Sequence, residues 1–388
     1  MQFVRNAPDV VCFGSRRGAV FNRNAHIEVS ITKLSAQISV LTHFSEVDYK
    51  MDKVKYLPVR HANIAITYKC NAKCKHCSIN ADDVSNKRLD KEMSTDEIKH
   101  AIKQLYEAGV MFLGIAGGEA LLHEDIYEIV KFSKKNDMFT SIASNGLIMD
   151  DAIAKELKKC DLDGFLISLD HTDFTIHDKI RGVDGIFEKA VDAIKICVEN
   201  GFYVSMGITP MRDNIGVFAD LVEKGVQMGV KGITFSSFVP TGRGRLKDDL
   251  TPVEWGEFYV LVRKLTKQYE GKVNIHFHDP RLNVLGEQTS SINGISGCLA
   301  GINHCYILPD GTVNPCVMLP KSIGNIKDGN LRDILRNYQN DEKVFERSNL
   351  IGKCGGCKYK SKCGGCRAVA YAYTSNYNEA DRHCWIKT

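Results

Sequence analysis

Three cysteines within one short stretch, Cys70-Asn-Ala-Lys-Cys74-Lys-His-Cys77, are the first residues in this chain whose type and spacing could do chemistry. Thiolates bind soft metals and iron-sulfur clusters. A closed 4Fe-4S cluster takes four of them, so a compact set of three leaves one iron free for a ligand the protein does not supply. Zinc is the alternative, because it closes its shell with four ligands and His76 inside the loop could be the fourth. A second concentration lies near the C-terminus: Cys298, Cys305 and Cys316, then Cys354-x2-Cys357-x5-Cys363-x2-Cys366, then Cys384. These eight thiols are enough for two closed clusters, with zinc ribbons as the other reading of the CxxC pairs. Eleven of the fourteen cysteines fall in these groups. Of the others, Cys12, Cys160 and Cys197, the last two sit at the ends of predicted helices, where a free thiol packs as a small apolar group.

The elements that must position these thiols are visible as a rhythm. Strand-like apolar runs at 62–68, 111–116, 138–143, 163–169, 203–208, 231–238 and 272–278 alternate with helix-like stretches at 95–108, 124–136, 150–159, 186–199, 216–228 and 252–269, the signature of a parallel βα array. The fold class is α/β, a partial (β/α)6 TIM-like barrel with a seventh strand. The Cys70 loop falls at the C-terminal end of the first strand, where barrel enzymes carry their chemistry. Residues 1–58 read as an N-terminal extension of short β-strands, with Ile27, Val29 and Ile31 alternating against polar neighbours and Ile38, Val40 and Leu41 following. The barrel is expected over 59–285. From Gly297 the rhythm gives way to Cys, Gly and Lys, so a module at 290–388 must rely on metal for stability.

Composition narrows the classes. Hydrophobic residues make up 44% and charged residues 25% of 388 positions, as in a globular protein, and no apolar run approaches a membrane span. Without a basic start followed by an apolar stretch, a secretory leader is not expected. Clustered thiols in such a chain point to metal or chemistry rather than disulfides. The net charge of +4 comes from interleaved bases and acids, which makes no case for nucleic acid. The expectation is a cytoplasmic protein with no membrane or nucleic-acid partner.

The cysteine loop resembles the signature of the radical S-adenosylmethionine (SAM) superfamily, and the resemblance extends over residues 62–240. Gly117-Gly118-Glu119 looks like that family's GGE motif, although Ala120 follows where proline is usual. Ser144-Asn145-Gly146, Ser168-Leu169-Asp170 and His177-Asp178-x2-Arg181-Gly182 with Gly185 and Phe187 are similar to further family positions. The resemblance implies that the backbone of Gly117, Gly118 and Glu119 holds the SAM amino group and that Asn145 belongs to the same site. Ser168 would contact the ribose or carboxylate region and Arg181 the carboxylate. The loop Val239-Pro-Thr-Gly-Arg243-Gly-Arg245 could bind adenine through its backbone at Val239, bind an anionic substrate through its arginines, or stand solvated. His276 and His278 share one strand face. With Asp170 they are the candidate catalytic residues, a structural role being the alternative.

The C-terminal third resembles a SPASM domain, whose pattern C-x(9-15)-G-x4-C is matched by Cys298, Gly311 and Cys316. Tyr306 to Val313 reads as a hairpin around Pro309-Asp310-Gly311, and Gly324-Asn325-Ile326 also fits. The resemblance implies one auxiliary cluster on Cys298, Cys305, Cys316 and Cys366 and another on Cys354, Cys357, Cys363 and Cys384. It implies three 4Fe-4S clusters, SAM as cosubstrate, and an electron donor such as flavodoxin or ferredoxin. The function implied is reductive cleavage of SAM to a 5′-deoxyadenosyl radical that takes a hydrogen from a substrate, foremost in modifying a peptide or protein. Sulfatase maturation is disfavoured by Val317, where that subfamily has an acid. Oxidative processing of a haem-precursor side chain is the second reading, with Arg243, Arg245 and the histidines as carboxylate partners. A non-catalytic iron-sulfur or zinc scaffold is the reading from another class.

Overall fold

The computed structural model describes residues 56–83, 91–277, 279–285, 291–292, 295–342, 344 and 347–387. The strands expected between Ile27 and Leu41, together with Cys12 and His278, lie outside the described residues. Seven strands stand where the apolar runs predict them: His61–Ala65 (β1), Phe112–Ala116 (β2), Phe139–Ser144 (β3), Gly164–Ser168 (β4), Tyr203–Ile208 (β5), Gly232–Phe235 (β6) and Asn274–Phe277 (β7). Each is parallel to the next. Helices over Thr95–Glu107, Ile126–Lys135, Asp151–Lys159, Ile186–Glu199, Phe218–Gln227 and Pro252–Gln268 alternate with them. The first shows why such segments are helical. Ser94 and Glu97 form a reciprocal capping box, and Ile98, Ala101, Ile102 and Leu105 make a buried stripe. Four more helices, Phe174–Arg181, Leu331–Asp341, Gly352–Gly355 and Arg367–Thr374, stand outside the expected series.

Strand alternation divides the sheet into two faces. Leu113 and Ile115 of β2 and Ile142 of β3 are buried in the main core with the helices. The opposite face carries small or polar side chains, among them Gly114, Ala116, Ser141, Ala143, Gly207 and Thr234, all half-buried, so the inner wall encloses space instead of a packed core. At the N-terminal ends of the strands a ladder of rings lies across it: His61 to Phe112 at 4.7 Å, Phe112 to Phe139 at 5.9 Å and Phe139 to Tyr203 at 6.4 Å between centroids.

The cysteine-rich part grows directly out of this sheet. After a short antiparallel ladder of Ser291–Ile292 (β8) and Ile295–Ser296 (β9), His304–Ile307 (β10) runs parallel to β1. The expected hairpin returns as Thr312–Asn314 (β11), and Gly324–Asn325 (β12) follows. The order is β12-β11-β10-β1-β2-β3-β4-β5-β6-β7, an open ten-stranded sheet. Buried polar contacts fasten the module elsewhere. Gln104 donates to the Ile326 carbonyl at 3.2 Å and accepts from the Leu331 N–H at 2.8 Å. Asp249 accepts from the Trp255 indole at 3.2 Å and the Tyr373 hydroxyl at 2.8 Å, and lies 2.6 Å from His383 Nε2.

Asp279, just past β7, accepts from Ser237 and Tyr259 at 2.8 Å each and forms a two-pronged pair with Arg281. Burial works against the Asp279 carboxylate, but the Arg281 charge overrides it and holds the pKa at about 2. The folded value lies below the ordinary one, so this stabilisation is present above pH 4 and is lost as pH falls toward 2. Asp279→Asn is therefore expected to flatten the acid limb of the stability-pH curve between those values, measured by urea unfolding. Asp249→Ala leaves several buried donors unsatisfied and is expected to cost about 3 kcal/mol in the same measurement.

Candidate active site

The loop carrying Cys70, Cys74 and Cys77 leaves the C-terminal end of β1 and is held by backbone bonds from both sides. Gly118 and Glu119 donate their N–H groups to the carbonyls of Thr67 and Lys69 at 2.8 and 2.9 Å. Lys73 and Lys75 donate to the carbonyls of Arg181 and Ile180 at 3.0 and 2.9 Å. The expected SAM contact at Gly117-Gly118-Glu119 is compatible with this, because an ammonium group needs carbonyl acceptors and the N–H groups are the ones already used. Glu119 itself is buried and structural: its carboxylate accepts from the N–H of Leu121 at 3.2 Å and of Asn145 at 2.8 Å, joining the ends of β2 and β3. Asn145 reaches on to Asn71 Oδ1 at 2.7 Å, in the cysteine loop.

Arg243 clasps the loop from the opposite side. Its Nε donates to the Cys74 carbonyl at 2.8 Å, its Nη1 to the Ala81 carbonyl at 2.7 Å, and its backbone N–H to the Cys77 carbonyl at 2.9 Å. The approach needs Gly242, which has φ +59° and whose Cβ would lie 2.2 Å from the Cys77 oxygen. Arg245 turns to the carbonyls of Gly242 and Gly244 at 3.2 and 3.4 Å. Of the two arginines offered as substrate partners, Arg243 thus gives Nε and Nη1 to backbone and keeps Nη2 unpartnered, and the exposed Arg245 bonds its own loop through Nη1. Val239 places its side chain against Leu319, Ala368 and Val369 of the cysteine-rich module.

Behind the loop lies a buried ionic group. Arg181 pairs with Asp170 at 2.6 Å and points Nη1 at Cys74 Sγ at 3.7 Å, while its Nε has no hydrogen-bond partner and is the nitrogen left for a carboxylate. Burial would lift the Asp170 carboxyl, yet the Arg181 charge and the neighbouring His76 and His177 hold it below its ordinary value. Asp170 also accepts from the Thr209 N–H at 2.9 Å, so it is a paired carboxylate anchoring its strand end, not a free proton carrier. His177 accepts from the Asp170 N–H at 3.1 Å through Nδ1, and burial pushes its pKa down to about 4, which makes it a neutral acceptor. Asp178 accepts from the N–H groups of Gly185 and Phe187 at 2.6 and 2.9 Å, holding the start of the next helix. Ser168 ends β4 half-buried, and His276 is exposed on β7 opposite Thr234, on the inner face.

The C-terminal thiols separate into groups. Cys354, Cys357, Cys363 and Cys384 line one cavity together with Arg281 and Asp381. Each of the four accepts a backbone N–H: from Asp381 at 3.4 Å, Tyr359 at 3.4 Å, Gly365 at 3.3 Å and Ile386 respectively. Four thiols around one cavity, each already hydrogen-bonded at sulfur, fit an iron-sulfur cluster, as do the three loop thiols beside Arg181. Burial aside, Cys298 lies near enough to raise the pKa of both Cys316 and Cys366, which pack against the same small cluster of Val239, Leu319, Ala368 and Val369. The structure does not bring Cys305 to them. Strand alternation on β10 turns it, with Ile307, into the main core near Tyr56, fully buried, where burial alone pushes its pKa up to about 12. Burial likewise raises Cys70 and Cys363 to about 12 and Cys316 to about 11, so metal uptake must expel protons from these thiols. Among the described residues no three His, Cys, Asp or Glu side chains converge on a single metal ion; thiols that wrap a cluster stand farther apart, around several irons. Arg281, Arg347 and Arg367, which surround the C-terminal thiols, carry no sequence signal beyond their own charge.

Comparisons with known proteins agree with this arrangement. Residues 64–225 match the radical SAM superfamily model, and residues 298–366 match the SPASM iron-sulfur cluster-binding domain. The chain is similar to the AdoMet-dependent heme synthase of Methanosarcina barkeri, at 28% identity over 82% of this chain and 94% of that protein. It is similar to the antilisterial bacteriocin subtilosin biosynthesis protein AlbA of Bacillus subtilis, at 28% identity over 77% and 67%. Its fold matches Streptococcus suis SuiB, solved with the precursor peptide SuiA, with a TM-score of 0.70 and 16% identity over 93% of this chain and 90% of that one. A parallel barrel sheet with a three-thiol loop at its catalytic rim and a thiol-lined module grown from its first strand, matched by both domain models, makes this chain a radical SAM superfamily enzyme with a C-terminal SPASM domain.

Proposed function

We propose that this enzyme modifies a peptide or protein by removing a hydrogen atom from it. Cys70, Cys74 and Cys77 hold the SAM-binding cluster; Gly117, Gly118, Glu119, Asn145, Ser168, Arg181 and the Val239 backbone surround SAM. Cys354, Cys357, Cys363 and Cys384 hold one auxiliary cluster, and Cys298, Cys316 and Cys366 take part in a second, giving three in all. Residues 59–285 form the catalytic barrel, and 290–388 the module that carries the auxiliary clusters. A 4Fe-4S cluster held by Cys70, Cys74 and Cys77 would supply the one-electron reduction that SAM cleavage and the following hydrogen abstraction need. The chain's own residues fix the loop, enclose the chamber and line it with small side chains.

The observation that favours a peptide is the inner wall of small, half-buried side chains, which leaves room for a chain-like substrate; of the two arginines suited to tetrapyrrole carboxylates, Arg243 already has Nε and Nη1 engaged by loop carbonyls and keeps Nη2, and Arg245 is exposed. A flavodoxin or ferredoxin is the fitting electron donor, and His276 is the candidate proton carrier of the chamber. The second reading, oxidative processing of a haem precursor, is supported by the similarity to the heme synthase.

Iron, sulfide and EPR analysis of anaerobically reconstituted protein tests the assignment. About twelve irons are expected, falling to about eight in the Cys70/Cys74/Cys77→Ala triple variant, with loss of 5′-deoxyadenosine formation from SAM and dithionite. Unchanged iron in the variant, or no SAM cleavage by wild type, overturns it. Adding a propionate-bearing iron porphyrin is expected to leave the 5′-deoxyadenosine yield unchanged; a porphyrin-dependent rise would move the substrate to the second reading.

A further inference from the structure

The four-thiol cavity contains a feature that its metal-holding role alone does not require. Arg281 lines it with 0% exposure. Its Nε and Nη2 are bonded to Asp279, but Nη1 has no hydrogen-bond partner among the described residues and lies 3.5 Å from the Asp381 carboxylate. The guanidinium is also packed among Trp255, Tyr259 and Trp385 at 5.4 to 5.8 Å from the ring centroids. A buried ion triad of this kind costs desolvation and is often replaceable by apolar side chains without loss of stability. A buried donor left unpaired beside a cavity marks a place for a negative group.

Asp381 occupies the other key position. Its backbone N–H donates to Cys354 Sγ at 3.4 Å, and its carboxylate accepts from the Cys366 N–H at 2.8 Å. One residue therefore links the four-thiol cavity to Cys366 by hydrogen bonds at both ends. Arg367 adds a further cation, with Nη2 3.6 Å from Cys354 Sγ. Gly365, at φ +66°, allows this crowding, since a Cβ there would lie 2.7 Å from the Arg367 guanidinium and 2.8 Å from Asp381 Cβ.

We infer that the Asp279-Arg281-Asp381 triad sets the reduction potential of the iron-sulfur group carried by Cys354, Cys357, Cys363 and Cys384, Arg281 raising it and Asp381 lowering it. The inference rests on the reading that these thiols hold a cluster. One electron entering that group adds one negative charge to the cavity, which the buried guanidinium stabilises and the adjacent carboxylate opposes; charge and hydrogen bonds around the sulfurs are what set such potentials. Arg281 and Asp381 are positioning residues, acting through the field at the cavity.

The test is an EPR-monitored redox titration of the full chain loaded anaerobically with iron and sulfide, using dithionite as reductant. The signal of this cavity is identified as the one lost in Cys354→Ala/Cys357→Ala. Arg281→Met is expected to move its midpoint to more negative potential and Asp381→Asn to more positive potential, with smaller changes in the other signals. If Arg281→Met does not fold, Asp381→Asn, whose single amide oxygen can keep one of the two N–H groups the carboxylate serves, those of Cys366 and His383, decides the matter alone. Unmoved midpoints at wild-type iron content, or shifts of the same sign in both variants, overturn the inference. A wild-type protein with no iron signal removed by Cys354→Ala/Cys357→Ala overturns the cluster assignment itself, a separate failure.

Discussion

Two hydrogen bonds from the Arg243 guanidinium to the carbonyls of Cys74 and Ala81 are the contacts on which the candidate active site depends. A loop that presents three thiols cannot be regular structure, so its backbone polar groups need partners from elsewhere. They come from three strand ends at once: the GGE segment after β2, the Ile180-Arg181 carbonyls after β4, and Arg243 after β6. The parallel sheet brings those ends to one rim, which is why a barrel, with its successive strand ends, can hold such a loop in one shape. Arg181 adds a charge-assisted contact at Cys74 Sγ while Asp170 keeps it ionised, so the loop and the buried pair behind it form one unit.

The cysteine-rich module has the same dependence on the barrel. β10 adds to the edge that β1 would otherwise expose, and thereby puts Tyr306 against Ala65 and against Ile79 and Val317, neighbours of Cys77 and Cys316. At the other end, Asp249 and Asp279 draw Tyr373, His383, Arg281 and Asp381 onto the helix of Pro252–Gln268 and the end of β7. The module is thus tied by a sheet on one side and by buried polar contacts on the other. Its small apolar cluster, with Val239, Leu319, Ala368 and Val369, needs that support.

Much of this was legible in the order of residues. The strands could be read because a parallel strand with helices on one face needs an apolar run, and the thiol loop because cluster chemistry constrains cysteine spacing. The helix Phe174–Arg181 was hidden because its buried side chains include His177, Asp178 and Arg181, polar groups whose partners Asp170, Gly185 and Phe187 lie outside the helix and which break the apolar period; only the Asp173 cap signals it. Cys305 shows a different limit: spacing names candidate ligands, but strand phase decides which face a side chain takes, and β10 points this one into the core. Arg243 and Arg245 read as ligand-facing because charge in a glycine-rich loop suggests an anion, whereas the loop's own carbonyls are the acceptors they meet. Arg281 gives no periodic or motif signal, since its role depends on Asp381, which lies far along the chain, as well as on its neighbour Asp279.

The central claim is that protein contacts alone preshape the three-thiol loop. Hydrogen exchange of the metal-free full chain, resolved at the amides of Lys73, Lys75, Asp82 and Arg243, measures this directly. The account predicts slow exchange at all four in wild type and loss of that protection, by about two orders of magnitude, in Arg243→Met, equivalent to about 3 kcal/mol of lost clasp. Fast exchange in the metal-free wild type, at the rate of an unstructured loop, would show that metal rather than the arginine clasp shapes the site and would contradict the account.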